Sequence, residues 1–404
     1  MVAPGFTATP VKKHYDVVII GGAMIGSSVA WFLSSMSGFD GSVLVIEKDP
    51  GYTACSTAHT NSCIRQQFSN EINIRISQFG VETVRNFRAM LGGDPDIPEI
   101  TLHDYGYMYL ADNEDFASIL RDNQATQAAL GAGTRLLNAE QIGSEYPFYN
   151  LDGIILGSHN PLDEGYFDGH TMFDWWKRMA RRNGVEYCAG EVVAMTRQHD
   201  RITEVSLADG SRVECGTVVN ASGPRAARTA AMAGLEIPVE PRRRYTFIFD
   251  AETPLEKPLP LTIDPSGVHM RSDGKYYLCG CPPDQDPAVD FDDFDLDYSI
   301  WEDKIWPAIA NRVPAFEAVK VINAWVGHYA YNTLDHNAVI GPHPECSNFI
   351  FVNGFSGHGF QQSPAMGRGV AELICHGGYR SLDLSPLGYE RIIRNEPFLE
   401  RAVI

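Results

Sequence analysis

Apolar positions near the start of the chain change period within a few residues. Asp16-Val17-Val18-Ile19-Ile20 is short, β-branched and apolar, as expected of a parallel strand buried on both faces. Gly21-Gly22-Ala23-Met24-Ile25-Gly26 follows at once. From Ser27 to Met36 the apolar residues Val29, Ala30, Leu33 and Met36 recur at helical spacing. A second apolar run, Val43 to Ile46, ends in Glu47-Lys48. Strand, helix and strand thus close a βαβ unit within about 35 residues.

Later runs add strands. Glu191-Val192-Val193 opens a hairpin that continues through Ile202 to Leu207, turns at Asp209-Gly210 and resumes at Arg212 to Cys215. Val218-Val219-Asn220-Ala221-Ser222-Gly223-Pro224 is an apolar strand ending in small residues. Phe349 to Val352 opens onto Gly354-Phe355-Ser356-Gly357-His358-Gly359-Phe360, ahead of a predicted helix over Pro364 to His376. Tyr105–Leu110, Tyr245–Phe249, Val268–Met270 and Tyr276–Gly280 also read as strands.

The first glycine turn carries chemistry. Gly21 permits the tight exit from the strand, and Gly26 lets the helix pack on the sheet. The helix N-terminus offers free N–H groups and partial positive charge to a pyrophosphate. Glu47 stands where a carboxylate accepts from the adenosine ribose, which favours a free 2′-hydroxyl and disfavours NADP. Ala23 replaces the second glycine of the usual pattern, with Gly22 beside it. A nicotinamide domain needs one glycine-rich turn. A second such turn at 354–359 is explained by the larger FAD, held along its length.

Composition narrows the partners. Thirty-two basic and 51 acidic residues give a net charge of −19, which repels nucleic acid. Much of the acid lies between Asp284 and Asp303, read as a solvated loop leading into a helix. Eight cysteines include no CxxC pair, so no metal is expected and reduced cytoplasmic thiols are the simplest reading. No apolar run is long enough for a transmembrane segment, and Met1 to Pro10 lacks a signal-peptide pattern. At 404 residues two domains are expected.

These pieces, with Ala324-Trp325-Val326-Gly327-His328-Tyr329-Ala330-Tyr331-Asn332-Thr333-Leu334-Asp335, Ile340-Gly341-Pro342-His343-Pro344 and Gly354 to Gln362, resemble the FAD-dependent D-amino acid oxidase superfamily. That group includes sarcosine oxidase, dimethylglycine dehydrogenase and glycine oxidase. Pro241-Arg242-Arg243-Arg244-Tyr245 and Arg312-Val313-Pro314-Ala315-Phe316 look most like its branch of FAD-dependent oxidoreductase domain-containing proteins, which includes a mitochondrial assembly factor. The resemblance implies an α/β fold: a Rossmann-type FAD-binding domain (12–84, 148–228, 324–404) interleaved with a mixed-sheet substrate domain (85–147, 229–323). It implies oxidation of a small secondary amino acid, such as an N-substituted glycine or iminodiacetate, with oxygen or another electron acceptor. A 2-hydroxy acid or amine dehydrogenase and a non-catalytic flavoprotein are the alternatives.

The resemblance also assigns residues. Flavin contacts are expected from Gly21, Ala23, Met24, Ile25, Gly26, Glu47 and Lys48, then Ser56, Thr57 and Asn61. Val193, Ala221, Ser222 and Gly223 follow, with Gly354, Ser356, Gly357, His358, Gly359 and Gln361. Arg65 matches the arginine that pairs with the substrate carboxylate. Gln361 stands where relatives carry a carboxylate-binding lysine. His328 stands where sarcosine oxidase tethers flavin to cysteine, so non-covalent FAD is expected, with His59 a lesser candidate for a link. His328, Tyr329 and Tyr331 fall at active-site positions. Arg243, within the Arg242–Arg244 island, is a candidate second anchor for an anionic substrate, because the chain's own acids concentrate in the distant run 284–303. Lys275 is a candidate for promoting reaction with oxygen.

Overall fold

The computed structural model describes residues 3–401; the expected third FAD segment runs on past these to 404. Two eight-stranded sheets organise the chain. In the first, His14–Ile20 lies between Val43–Glu47 and Arg212–Asn220, parallel to both. The long Arg212–Asn220 strand forks. Its first half pairs with the hairpin strand Arg201–Leu207, and its second half with Cys346–Asn353. The helix Met24–Ser35 follows the first strand.

Alternation explains why these strands read as continuous apolar runs. Val17, Ile19, Val43 and Val45 enter one core, with Trp31, Trp176 and Val370. Val18, Ile20, Leu44 and Ile46 enter the core on the other face, with Val205 and Ala230. Both faces are covered, so neither tolerates polar residues. The first helix is buried on nearly all sides, from Met24 to Leu33, and it packs against Gly169–Arg182 and Gly359–His376. The Gly359–His376 helix begins five residues before its predicted start, with Pro364 in its second turn.

The second sheet is mixed. Its order is Val319–Asn332, Val239–Ala251, Tyr276–Cys281, His269–Asp273, Leu261–Ile263, Tyr107–Ala111, Leu156–Asn160 and Arg135–Leu137. Leu156–Asn160, and the end of the Val319–Asn332 strand, belong to this sheet although they fall within the sequence ranges expected for the FAD domain. Their hydrogen-bond partners, Tyr107–Ala111 and Val239–Ala251, decide this. An aromatic core of Phe247, Phe249, Tyr277 and Phe316 backs the sheet.

Candidate active site

A cavity of about 320 Å³ opens between the two sheets. Its floor begins at the first glycine turn. Gly21 has φ +96°, and a Cβ there would lie 2.5 Å from Ala221 O. A Cβ at Gly26 would lie 1.9 Å from Gly21 O, so Gly26 serves helix–strand packing and does not line the cavity. Ala23, the N-cap, gives no side-chain cap, and Met24 N–H meets Thr57 Oγ1 at 3.2 Å. The methyl of Ala23 is accommodated at the cavity wall.

Glu47 is buried at the end of its strand and lines the cavity. Its Oε2 accepts Gly22 N–H at 2.7 Å and its Oε1 accepts Asp49 N–H at 2.8 Å. Burial raises its pKa, which the two backbone donors partly oppose. The carboxylate thus shapes the glycine turn, and each oxygen keeps a lone pair for a further donor. Lys48, Ile25, Ser56, Asn61, Ala221, Ser222 and Gly223 line the same cavity. Ser56 Oγ also donates to His328 O at 2.6 Å.

The far end is built from the 354–361 turn and the segment around Arg65. Arg65 is buried and lines the cavity. Its NH1 donates to Gln67 O, its NH2 lies 2.9 Å from His358 Nε2, and its guanidinium rests 3.8 Å from the Phe68 ring centre. A guanidinium can only donate, so His358 Nε2 accepts. Burial and Arg65 hold the His358 pKa well below the usual histidine value. Gln361, at the position of the relatives' lysine, lines the cavity, and its Oε1 accepts Arg65 N–H at 2.8 Å. Behind them, buried Glu164 accepts from Gln66 N, Gln67 N, Gln67 Nε2 and Asn160 Nδ2. Gly357 gives Tyr329 room, because a Cβ there would lie 2.5 Å from that ring. Tyr329, Gly359 and His328 also line the cavity.

The acidic run is not distant. It folds back as a strap over the arginine island, with Val289 N–H on Pro241 O. Asp286 takes both terminal nitrogens of Arg244 at 2.8 and 2.9 Å. Asp293 pairs with Arg243 at 3.4 Å, and Glu240 with Arg242 at 2.6 Å. The island's charges are met by the chain's own acids, which removes the sequence argument for a second substrate carboxylate. Phe294 stacks on His328 with centroids 4.3 Å apart, and His328 Nε2 meets Asp293 O at 2.6 Å. His59 stacks on the same phenyl ring at 5.7 Å.

Several expected residues stand elsewhere. Val193 is 43 % exposed, and Val192 lines the cavity in its place, since neighbours on a strand face opposite ways. The same rule puts Arg244 at the cavity and Arg243 outside its lining. Lys275 sits fully exposed at the turn between two strands, 4.7 Å from the Tyr276 ring centre. Gly354 (φ +74°) and Ser356 (φ +47°) shape the turn, and Ser356 Oγ accepts Asn332 N–H at 3.0 Å. Tyr331 bonds His336 at 2.7 Å and is not among the lining residues. Tyr107, Thr246, His269, Arg225 and Phe291 line the cavity without having been singled out. Only fold-level pairing brings them there.

A glycine-rich floor, a buried acid at the end of the second strand, and a second glycine turn across the cavity fit a dinucleotide flavin. The sequence profile of the FAD dependent oxidoreductase family matches residues 16–373. The chain belongs to this family. FAD is its cofactor, and it is an oxidoreductase of the type acting on amino acids and amines. It is 36 % identical to FAD-dependent oxidoreductase domain-containing protein 1 of Xenopus laevis, over 97 % of this chain and 85 % of that protein. It is 25 % identical to mitochondrial sarcosine dehydrogenase of Mus musculus, over 93 % of this chain and 41 % of that protein. Among solved structures it superposes on L-proline dehydrogenase from P. horikoshii with TM-score 0.83 and 26 % identity, covering 96 % and 100 % of the two chains. Among the described residues no helix is long and apolar enough to cross a membrane.

Proposed function

We propose that the chain oxidises a small secondary amino acid, an N-substituted glycine or a cyclic imino acid, at the carbon beside nitrogen. The observation that carries this reading is the buried Arg65 guanidinium at the cavity wall, braced by Gln67, His358 and Phe68. Its planar fork suits a carboxylate. FAD, when bound, supplies the hydride acceptor. The protein's part is to orient the carboxylate through Arg65, and to exclude water with Tyr329 and the strap. Neutral His358 braces the arginine without competing for the anion. Water hydrolyses the imine: an N-substituted glycine gives glyoxylate or another carbonyl compound plus an amine, and a cyclic imine opens to one amino carbonyl compound.

The expected flavin contacts that line the cavity, the division into an FAD-binding and a substrate body, and a cytoplasmic setting suited to eight free cysteines belong to the same proposal. Non-covalent FAD is also part of it. His328, at the position of the tethering cysteine, points its Nε2 into the strap. The placement of Lys275 on the surface favours a second reading for reoxidation, in which a quinone or flavoprotein takes the electrons instead of oxygen. Anaerobic bleaching of the flavin tests the reaction, using sarcosine, proline, iminodiacetate and 2-hydroxy acids. Oxygen consumption tests the acceptor. Bleaching by hydroxy acids alone would overturn the amine reading.

A further inference from the structure

The roof of the cavity carries two buried N–H groups that meet no acceptor among the described residues, His269 Nδ1 and Arg244 Nε. Both side chains line the cavity. Thr246, Gly280 and His269 form one cross-strand row. Arg244 lies two residues from Thr246 and so shares its face. Gly280 keeps the row open, since a Cβ there would lie 3.1 Å from His269 Cε1 and Nε2.

The neighbours assign the protonation of the ring. Asn61 Nδ2 faces His269 Nε2 at 3.3 Å, while Asn61 Oδ1 accepts from Thr246 Oγ1, also at 3.3 Å. An amide N–H needs a lone pair, so Nε2 accepts and the ring proton sits on Nδ1. Burial, then Arg271 and Arg244, push the pKa of the ring down to about 4. The imidazole is therefore uncharged at neutral pH. Arg244 has its charge balanced by Asp286 on both terminal nitrogens. The roof thus offers two donors and no net charge.

A buried donor without an acceptor is costly, and a ligand oxygen would relieve it. A donor pair with no net charge suits a neutral oxygen. A second carboxylate there would find the Arg244 charge already balanced by Asp286. We propose that His269 Nδ1 and Arg244 Nε form a second substrate subsite for an uncharged acceptor oxygen, an amide carbonyl or hydroxyl. This rests on the amino-acid reading above, in which Arg65 holds the carboxylate. It narrows the substrate class to amino acids carrying a further neutral oxygen.

Three ether acids that lack the oxidisable amine test it: methoxyacetate, diglycolate and the monoamide of diglycolate. Each is titrated into the FAD-loaded protein and followed by flavin absorbance. The monoamide should bind about tenfold tighter than methoxyacetate, the worth of one to two neutral hydrogen bonds. Diglycolate should gain nothing over methoxyacetate. In His269→Phe the ratio of methoxyacetate to monoamide Kd should collapse toward one. In His269→Asn, whose amide N–H falls near the Nδ1 position, it should largely return. A ratio near one in the unmodified protein would overturn the subsite. So would a ratio that persists in His269→Phe. A shifted resting flavin spectrum with the ratio intact would assign the ring to the cofactor instead. If His269→Phe fails to hold FAD, nitrogen-15 spectra of the unmodified protein decide. The subsite requires an Nδ1-protonated ring whose Nδ1 signal moves when the monoamide is added, and an Nε2-protonated or unmoved ring contradicts it. Arg65→Lys keeps the two readings apart. If it weakens all three acids together the carboxylate anchor stands, and if it changes none the anchor fails while the ratio still reports on His269.

Discussion

Glu164 shows how much a single buried carboxylate can report. It accepts four hydrogen bonds, and burial pushes its pKa up to about 7 from 4.5, against the pull of those donors and of Arg65. Below pH 4.5 the acid is protonated in both the folded and the unfolded chain. Between the two values the unfolded chain releases a proton that the folded chain keeps. Its contribution to stability therefore falls as pH rises through that window, by roughly 1–3 kcal/mol. Glu164→Gln cannot titrate. The Tm difference between variant and unmodified protein should shift in the variant's favour from pH 5 to pH 8, whatever constant offset the amide brings. Parallel Tm curves would show that Glu164 stays ionised throughout. Glu47 supports a second prediction at this scale. It braces Gly22 and lines the cavity where the sequence pattern expects the ribose, so Glu47→Ala should weaken FAD binding by about 10- to 150-fold, the worth of one charge-assisted bond. Fluorescence titration with FAD measures this. Arg65, Glu47 and Gly21 were legible in the sequence because a strand, a turn and a matching motif fix each in place. His269 was not, since a lone histidine on a strand carries no local signal. Its register opposite Gly280 appears only after three strands have paired.

Elements were legible where their period was strong. The first strand and helix and the 192–220 hairpin strands read correctly from alternation and turns. The Gly359–His376 helix starts ahead of Pro364, which the sequence pattern takes as its first residue; the proline leaves Phe360 O without a backbone donor, and Ser363 Oγ donates to that carbonyl at 2.7 Å instead. The acidic run was legible as a loop but not as a cover. Its aspartates find arginines some 40 to 70 residues away, and no periodicity encodes that pairing. The strap yields its own prediction. Three Arg–Asp pairs and the Phe294–His328 stack hold it down. Asp286→Asn with Asp293→Asn should speed chymotryptic cleavage after Phe291 or Phe294 by about tenfold, since more frequent opening exposes the strap. Unchanged cleavage would show that backbone contacts, not charge pairs, keep it closed.

At the scale of the molecule, the two sheets enclose a site to which distant segments contribute. The family, the fold and the cofactor were readable from motifs spread between residues 16 and 362. The surroundings of the arginine island were not, because net charge says nothing about which acids fold against which bases. Non-covalent attachment predicts that acid precipitation releases all the flavin into the supernatant. Colour left in the pellet would point to His59 or a cysteine of the cavity wall. The central claim is that Arg65 anchors an amino-acid carboxylate for oxidation beside nitrogen. Anaerobic flavin reduction by sarcosine and proline, in the unmodified protein and in Arg65→Lys, tests it most directly. Bleaching by at least one of these amino acids is expected, with kcat/KM lowered about 10- to 150-fold by the substitution, because lysine cannot reproduce the bidentate fork. Equal bleaching in both proteins, or fastest bleaching by an amine without a carboxylate, would contradict it.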